Sequence, residues 1–119
     1  MKNKVFNLED RLIEFVISIN EVVEQLPNTK LGNHIGGQLI RCGTSPALNY
    51  GEAQSAESQK DFIHKMLIIL KELKETRICL KIILKKPLLE KEKILSVLKE
   101  NEELVAIFAQ SIKTAKSNL

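Results

Sequence analysis

The chain has 119 residues, a net charge of +3, no tryptophan, three prolines and five glycines. This composition favours a single all-α domain over residues 1–119. The small positive charge permits contact with nucleic acid without requiring it. No apolar run approaches the roughly 18 residues of a membrane span, and residues 1–5 lack the apolar segment of a secretory signal, so a cytoplasmic protein is expected. Cys42 and Cys79 have neither close partners nor metal-ligand spacing, which favours two free thiols.

The first helix is predicted over residues 8–26, where apolar side chains recur at steps of three and four positions and so line one face. Asn7 is placed to cap its N-terminus, because a short polar side chain there can accept a hydrogen bond from a free backbone N–H. Pro27 follows the last periodic residue, and proline cannot continue the hydrogen-bond ladder of a helix.

The second helix is predicted from residue 30 to about residue 53. Gly43 and Pro46 lie in its second half, and taken singly each of them suggests a break. Helical character resumes directly after them. We therefore predict one kinked but continuous helix rather than two short ones.

The third and fourth helices are predicted over residues 58–85 and residues 88–116. Ser58 is an N-cap candidate for the third helix, with Asp61 three positions later in a carboxylate variant of the capping box. Pro87 separates the two helices. Because all the connections are short, neighbouring helices should pack as an antiparallel up-down four-helix bundle.

Part of the third helix is apolar on the side that should face water. A surface helix is normally polar opposite its core-facing stripe, and an exposed apolar patch often marks an interface. The alternative is that a long bundle tolerates scattered exposed apolar groups. We predict self-association through four residues on this side: Ile68, Ile78, Cys79 and Ile82.

A basic stripe follows the end of the third helix at steps of three and four residues. Such a stripe, repeated around an oligomer, could neutralise several phosphates, although no aromatic residues are interleaved for base stacking. The alternatives are a plain solvated face and, for Arg77, a structural pair with a carboxylate such as Glu52. The candidate nucleic-acid-binding residues are Lys74, Arg77, Lys81, Lys85 and Arg41.

An enzymatic interpretation would combine Asp61, His64 and a glutamate as an acid–base set. The alternating charges are instead typical of a salt-bridge network, and no phosphate-binding loop or histidine spacing for a metal is present. We therefore predict no catalytic residues, no metal site and no cofactor. The acidic cluster Glu100, Glu102 and Glu103 is expected to face water. A structural polar network is expected to hold the junction of the second and third helices: Asn49, Glu52, Ser58, Asp61, Lys65, Glu72 and Glu75.

A set of short motifs, densest between residues 38 and 80, gives the chain a likeness to a known family. The motifs are Gln38-Leu39 with Arg41, Gly43-Thr44-Ser45, Asn49-Tyr50 with Glu52-Ala53, Ala56-Glu57-Ser58, Asp61-Phe62-Ile63-His64-Lys65, and Lys71-Glu72 with Glu75-Thr76. At these positions the chain resembles the four-helix-bundle proteins encoded within intervening sequences of bacterial 23S rRNA genes. It departs from the family at Pro46-Ala47, where Ile-Gly is frequent, and at Ile78-Cys79, where an aromatic pair is frequent.

The resemblance implies an up-down bundle that assembles as a ring, typically a homopentamer. A related branch, the accessory protein of diversity-generating retroelements, forms a similar basic ring that binds nucleic acid and a reverse transcriptase. By analogy we expect a non-enzymatic, oligomeric helical bundle that contacts RNA, DNA or a ribonucleoprotein partner through basic surfaces. The alternative is a protein-binding assembly scaffold without nucleic-acid contact.

Overall fold

The computed structural model describes residues 7–119, which form four α-helices and no strand. These are α1 (Leu8–Gln25), α2 (Lys30–Ala53), α3 (Gln59–Lys85) and α4 (Lys91–Ser117). Helices adjacent in sequence pack on each other and α1 also packs on α4, whereas α1 and α3 stand at opposite corners, as do α2 and α4. The described residues thus form the predicted up-down four-helix bundle. None of these four helices combines the length and the apolar character needed to cross a membrane.

The first three helices each begin at a polar side chain that satisfies a free backbone N–H. The Oδ1 atom of Asn7 accepts a hydrogen bond from the backbone N–H of Asp10 at 3.0 Å, and the Oγ atom of Ser58 does the same for Asp61 at 3.0 Å. Both caps were predicted from sequence and are confirmed. A third cap, Thr29, accepts from the N–H of Gly32 at 2.9 Å and starts α2.

Replacing Ser58 by alanine should lower the free energy of unfolding by about 1 kcal/mol, because the first turn of α3 loses its cap. Ser55→Ala is the matched control, since Ser55 is an exposed residue of the same connection whose side chain makes no hydrogen bond within residues 7–119. Urea denaturation of both variants measures the difference. Equal midpoints for the two variants would contradict a capping role.

The helix predicted from residue 88 begins three residues later, at Lys91. The backbone N–H of Leu88 donates to the carbonyl oxygen of Ile83 at 2.8 Å, so this residue closes the end of α3 instead of opening α4. Leu88 and Leu89 are half-buried and pack on the core from the connecting loop. Their apolar character therefore reflects contact with the core, and the helix start predicted directly after Pro87 falls in this loop.

Pro46 lies inside α2, which continues to Ala53 as predicted. Proline removes one hydrogen bond from the ladder. The helix persists because it is packed on both sides, by α1 and by α3, and because Pro46 itself is buried.

The core fills the space between the four helices with aliphatic side chains and two phenylalanines. Cys79 belongs to this core, so its predicted position on the outward side of the third helix is wrong. The neighbouring Cys42 thiol and burial both raise the pKa of the Cys79 thiol. The largest fully buried side chains are Phe15, Phe108, Leu12, Ile19, Leu39, Met66, Ile69, Leu73, Leu80, Ile83, Ile94 and Leu104.

Candidate nucleic-acid interface

Two of the five predicted phosphate-binding residues are engaged in ion pairs between helices. The guanidinium of Arg77 donates to both carboxylate oxygens of Glu102 on α4, at 2.5 and 2.8 Å. That of Arg41 donates to Glu72 at 3.1 Å and to Glu75 at 2.7 Å, joining α2 to α3. The carboxylate predicted to hold Arg77 was Glu52, and this detail is wrong. The structure gives both arginines a role in fixing neighbouring helices.

The acidic cluster of α4 does not simply face water, as was expected, because each of its glutamates accepts from an arginine. Arg11 on α1 donates to Glu100 at 2.7 and 2.9 Å and to Glu103 at 2.7 Å. Glu102 accepts from Arg77, and this hydrogen bond holds the pKa of the Glu102 carboxyl below its usual value. The cluster therefore attaches α4 to both α1 and α3.

The predicted polar network is divided into separate groups. At the junction of α2 and α3, Lys65 donates to Glu52 at 2.6 Å, beside the cap that Ser58 provides. Asn49 bonds within its own helix, to the carbonyl and hydroxyl oxygens of Ser45 at 3.0 and 2.8 Å. The remaining pair of the predicted set, Glu72 and Glu75, belongs to the Arg41 group.

The outward side of α3 is uniformly basic. Every charged residue of α3 that is exposed is a lysine, namely Lys60, Lys71, Lys74, Lys81 and Lys85. None of these five forms an ion pair within residues 7–119. The helix's own carboxylates, Asp61, Glu72 and Glu75, are partly buried. We call this surface of five lysines the α3 basic face.

Sequence reasoning found Lys74, Lys81 and Lys85 but missed the extent of the basic face. Steps of seven and four residues place these three on one side of a helix with 3.6 residues per turn. The same helical steps applied to Lys60 and Lys71 place them on this side too. The full extent of the basic face is therefore encoded in the sequence, by the helical spacing of Lys60 and Lys71 relative to the three predicted lysines.

An apolar groove of about 400 Å³ lies at the end of the α3 basic face. Its floor is formed by Leu31 of α2 and by Ile78 and Ile82 of α3, and lysines border it, Lys81 and Lys85 among them. Ile78 is 56% exposed. Two of the four predicted interface residues therefore line an open surface. Of the other two, Ile68 is half-buried and Cys79 lies in the core.

The groups considered for catalysis are not assembled into an acid–base set. His64 is exposed, whereas Asp61 is partly buried and accepts from the backbone N–H of Glu57 at 3.4 Å. His34 lies exposed on α2. Across residues 7–119, no three histidine, cysteine or acidic side chains come together in an arrangement that could hold a metal ion.

Comparison with known proteins identifies the family. A family model described as 23S rRNA-intervening sequence protein matches residues 6–110. The bundle is also similar to the crystal structure of a Bacteroides thetaiotaomicron VPI-5482 protein of unknown function from the S23 ribosomal protein family, with 30% sequence identity and a TM-score of 0.84 over 90% of this chain and 99% of the other. No curated protein gives a significant match. The chain belongs to the 23S rRNA-intervening sequence protein family.

Proposed function

We propose that this protein is a non-enzymatic, self-associating helical bundle whose α3 basic face binds the phosphate backbone of RNA or DNA. The observation that supports this proposal is the sorting of charge on α3. Its exposed charges are lysines without an ion pair in the described part of the chain, whereas its carboxylates Glu72 and Glu75 are both paired with Arg41. A surface of unpaired cations attracts phosphates and releases their counterions.

The chemistry of this face favours binding without sequence readout. Lysine ammonium groups act as point charges on flexible stems and contact phosphates without bidentate geometry. The arginines that could read guanine edges, Arg41 and Arg77, are engaged with glutamates, and breaking those pairs would leave partly buried carboxylates unpaired. We therefore expect RNA and DNA of different sequences to bind with similar affinity.

Self-association forms part of the same proposal. The open aliphatic groove beside the basic face supports it, and the family resemblance suggests a homopentameric ring. Repetition of the basic face in an oligomer would multiply weak contacts, because linked sites raise the effective concentration of the second binding event.

The proposal is tested with the triple variant Lys74→Gln, Lys81→Gln and Lys85→Gln, titrated with a labelled RNA and a labelled DNA across a salt series. The slope of log K against log salt is negative, and its magnitude should fall by roughly 2 to 3 for three lost phosphate contacts. The matched control is Lys99→Gln, Lys113→Gln and Lys116→Gln on α4. It removes the same charge from exposed residues of another helix, and its slope should stay close to that of the parent.

The mass of each variant is measured by light scattering alongside, so that altered assembly is not mistaken for lost phosphate contacts. Equal slopes for the two triple variants would refute the α3 basic face as the site. A parent that binds neither nucleic acid at low salt would refute the proposal altogether. The alternative, a protein-binding scaffold, is favoured by the apolar floor of the groove and would then replace it.

A further inference from the structure

The two cysteines of the chain are neighbours in the core, one on α2 and one on α3. Both are free thiols, Cys42 with none of its surface exposed and Cys79 with 7% exposed. They belong to the same cluster of buried side chains. The helices that carry them form the most extensive contact of any pair of helices among the described residues. The fold therefore brings together two thiols that lie 37 positions apart in the sequence.

An ion pair beside the cysteines fixes the register of α2 on α3. Arg41 directly precedes Cys42 and bonds to Glu75 at 2.7 Å, and Glu75 lies one turn before Cys79 on the same side of α3. The fully buried Thr76 packs in the same region, with its hydroxyl bonded within its own helix. The side chains at this level of the contact are thus small, which lets the two backbones lie close together. A disulfide needs such an approach, because its two Cα atoms come within about 7 Å of each other.

The surroundings make the two thiols unequal. The neighbouring Cys79 thiol lowers the pKa of the Cys42 thiol, although burial acts in the opposite direction. The pKa of the Cys79 thiol is raised instead. The thiolate is the form of cysteine that reacts with oxidants. Cys42 is therefore the thiol that an oxidant should meet in its reactive form, with Cys79 beside it as the second thiol.

We propose that Cys42 and Cys79 form a redox-sensitive pair, which hydrogen peroxide converts into a disulfide between α2 and α3. The Cys42 thiolate attacks one oxygen of the peroxide, the O–O bond breaks, and Cys42 becomes a sulfenic acid while hydroxide leaves. The Cys79 sulfur then attacks the sulfenic sulfur, the S–S bond forms, and the oxygen leaves as water. Overall the two thiols lose two electrons and two protons, and the peroxide is reduced to two molecules of water.

The disulfide changes how firmly α2 and α3 are held together. It closes a loop that contains the whole connection between these helices, and a closed loop lowers the entropy of the unfolded chain. The oxidised protein should therefore unfold at a higher urea concentration than the reduced protein, and dithiothreitol should reverse the change. Both cysteines are buried, so the exposed lysines of α3 keep their charge. The inference does not depend on the proposed function.

The reaction is tested on the reduced, folded chain with a small excess of hydrogen peroxide. Mass spectrometry should show a loss of about 2 Da, the two hydrogens given up by the thiols. A thiol titration after denaturation should find neither cysteine, and a gel without reductant should show a single chain. Cys42→Ala and Cys79→Ala are the matched variants, and circular dichroism confirms that each is folded.

The two variants separate the roles of the thiols. Cys79→Ala should stop at the sulfenic acid of Cys42, which adds the mass of one oxygen and is trapped by dimedone. Cys42→Ala should react more slowly, because a smaller fraction of its remaining thiol is ionised. Equal rates for the two variants would overturn the assignment of Cys42 as the attacking thiol.

Three results on the parent chain would overturn the disulfide itself. The first is that both thiols survive the peroxide, and the second is that the chain gains oxygen or links to another chain without losing the two hydrogens. The third is an oxidised protein that unfolds at a lower urea concentration than the reduced protein. That result would mean that the fold does not hold the two sulfurs in a geometry that a disulfide can adopt without strain.

Discussion

Replacing Asn101 by aspartate should lower the free energy of unfolding by about 3 to 5 kcal/mol, although the two side chains are nearly equal in size. Asn101 is fully buried on α4. Its Nδ2 group donates to the carbonyl oxygen of Leu73 at 3.0 Å, and its Oδ1 atom accepts no hydrogen bond from the described residues. A carboxylate at this position would lose the donor, face a carbonyl oxygen and have no compensating cation.

The loss of unfolding free energy in the Asn101→Asp variant should depend on pH, because it arises from ionisation of a buried carboxyl. Burial raises the pKa of the introduced carboxyl above its value in the unfolded chain. At a pH below the unfolded-state pKa, the introduced carboxyl is protonated in both the folded and the unfolded chain, so its ionisation costs no stability. The loss of stability grows as the pH rises from the unfolded-state pKa to the folded-state pKa, and it is constant above that. The gap between variant and parent should therefore narrow in acid.

Asn101→Leu is the control for this prediction, because it removes the hydrogen bond without introducing a charge and also removes the unpaired oxygen. Urea denaturation of the three proteins should place the leucine variant much closer to the parent. All measurements need one protein concentration, since association would add to the apparent stability. An aspartate variant as stable as the parent at neutral pH would show that this position is accessible to water.

Gly32→Ala and Gly37→Ala should change stability in opposite directions, although they lie five residues apart on α2. A Cβ atom at Gly32 would overlap the carbonyl oxygen of Pro27 and lie 3.0 Å from the Oγ1 atom of Thr29. Neither atom can move freely, because Thr29 caps α2 and its own N–H donates to the Pro27 oxygen at 2.9 Å. We expect a loss of about 1 to 3 kcal/mol, as for other overpacked sites.

At Gly37 an added methyl group meets no atom within 4 Å. Alanine there should raise the free energy of unfolding by up to about 1 kcal/mol, because glycine is a poor helix former and loses more backbone entropy on folding. Thermal unfolding of the two variants side by side measures the contrast. A rise in stability in both variants would contradict the close approach of the Pro27 turn to α2, and a fall in both would contradict the open space at Gly37.

The features that could be predicted from the sequence are those encoded by neighbouring residues. The caps at Asn7 and Ser58 depend on side chains three positions from the N–H groups they satisfy, and the four helices depend on apolar spacing within each segment. The continuity of α2 through Pro46 was predicted for the same reason, since helical character is visible on both sides of the proline. The end of α3 at Lys85 was also predicted correctly, but the start of α4 was not, because the hydrogen bond from Leu88 to Ile83 competes with a helix start at the same residues.

The features that were mispredicted depend on how helices face each other. The sequence shows that Arg77 could pair with a carboxylate, but the choice between Glu52 and Glu102 is set by the register of α3 against its neighbours. Cys79 was assigned to the outward side because one core-facing stripe was assumed. In the bundle α3 contacts both α2 and α4, which widens its buried arc to include this cysteine.

The three arginines and the five lysines of the α3 basic face have different surroundings. All three of its arginines join helices through glutamates, whereas the five cations of the α3 basic face are lysines. A primary amine can be acetylated, which removes its charge, while a guanidinium resists the same reagents. Acylation of the folded protein should therefore erase the surface field step by step and leave the arginine pairs that hold the bundle intact. The charge of the α3 basic face can in this way be altered chemically without breaking the three arginine pairs.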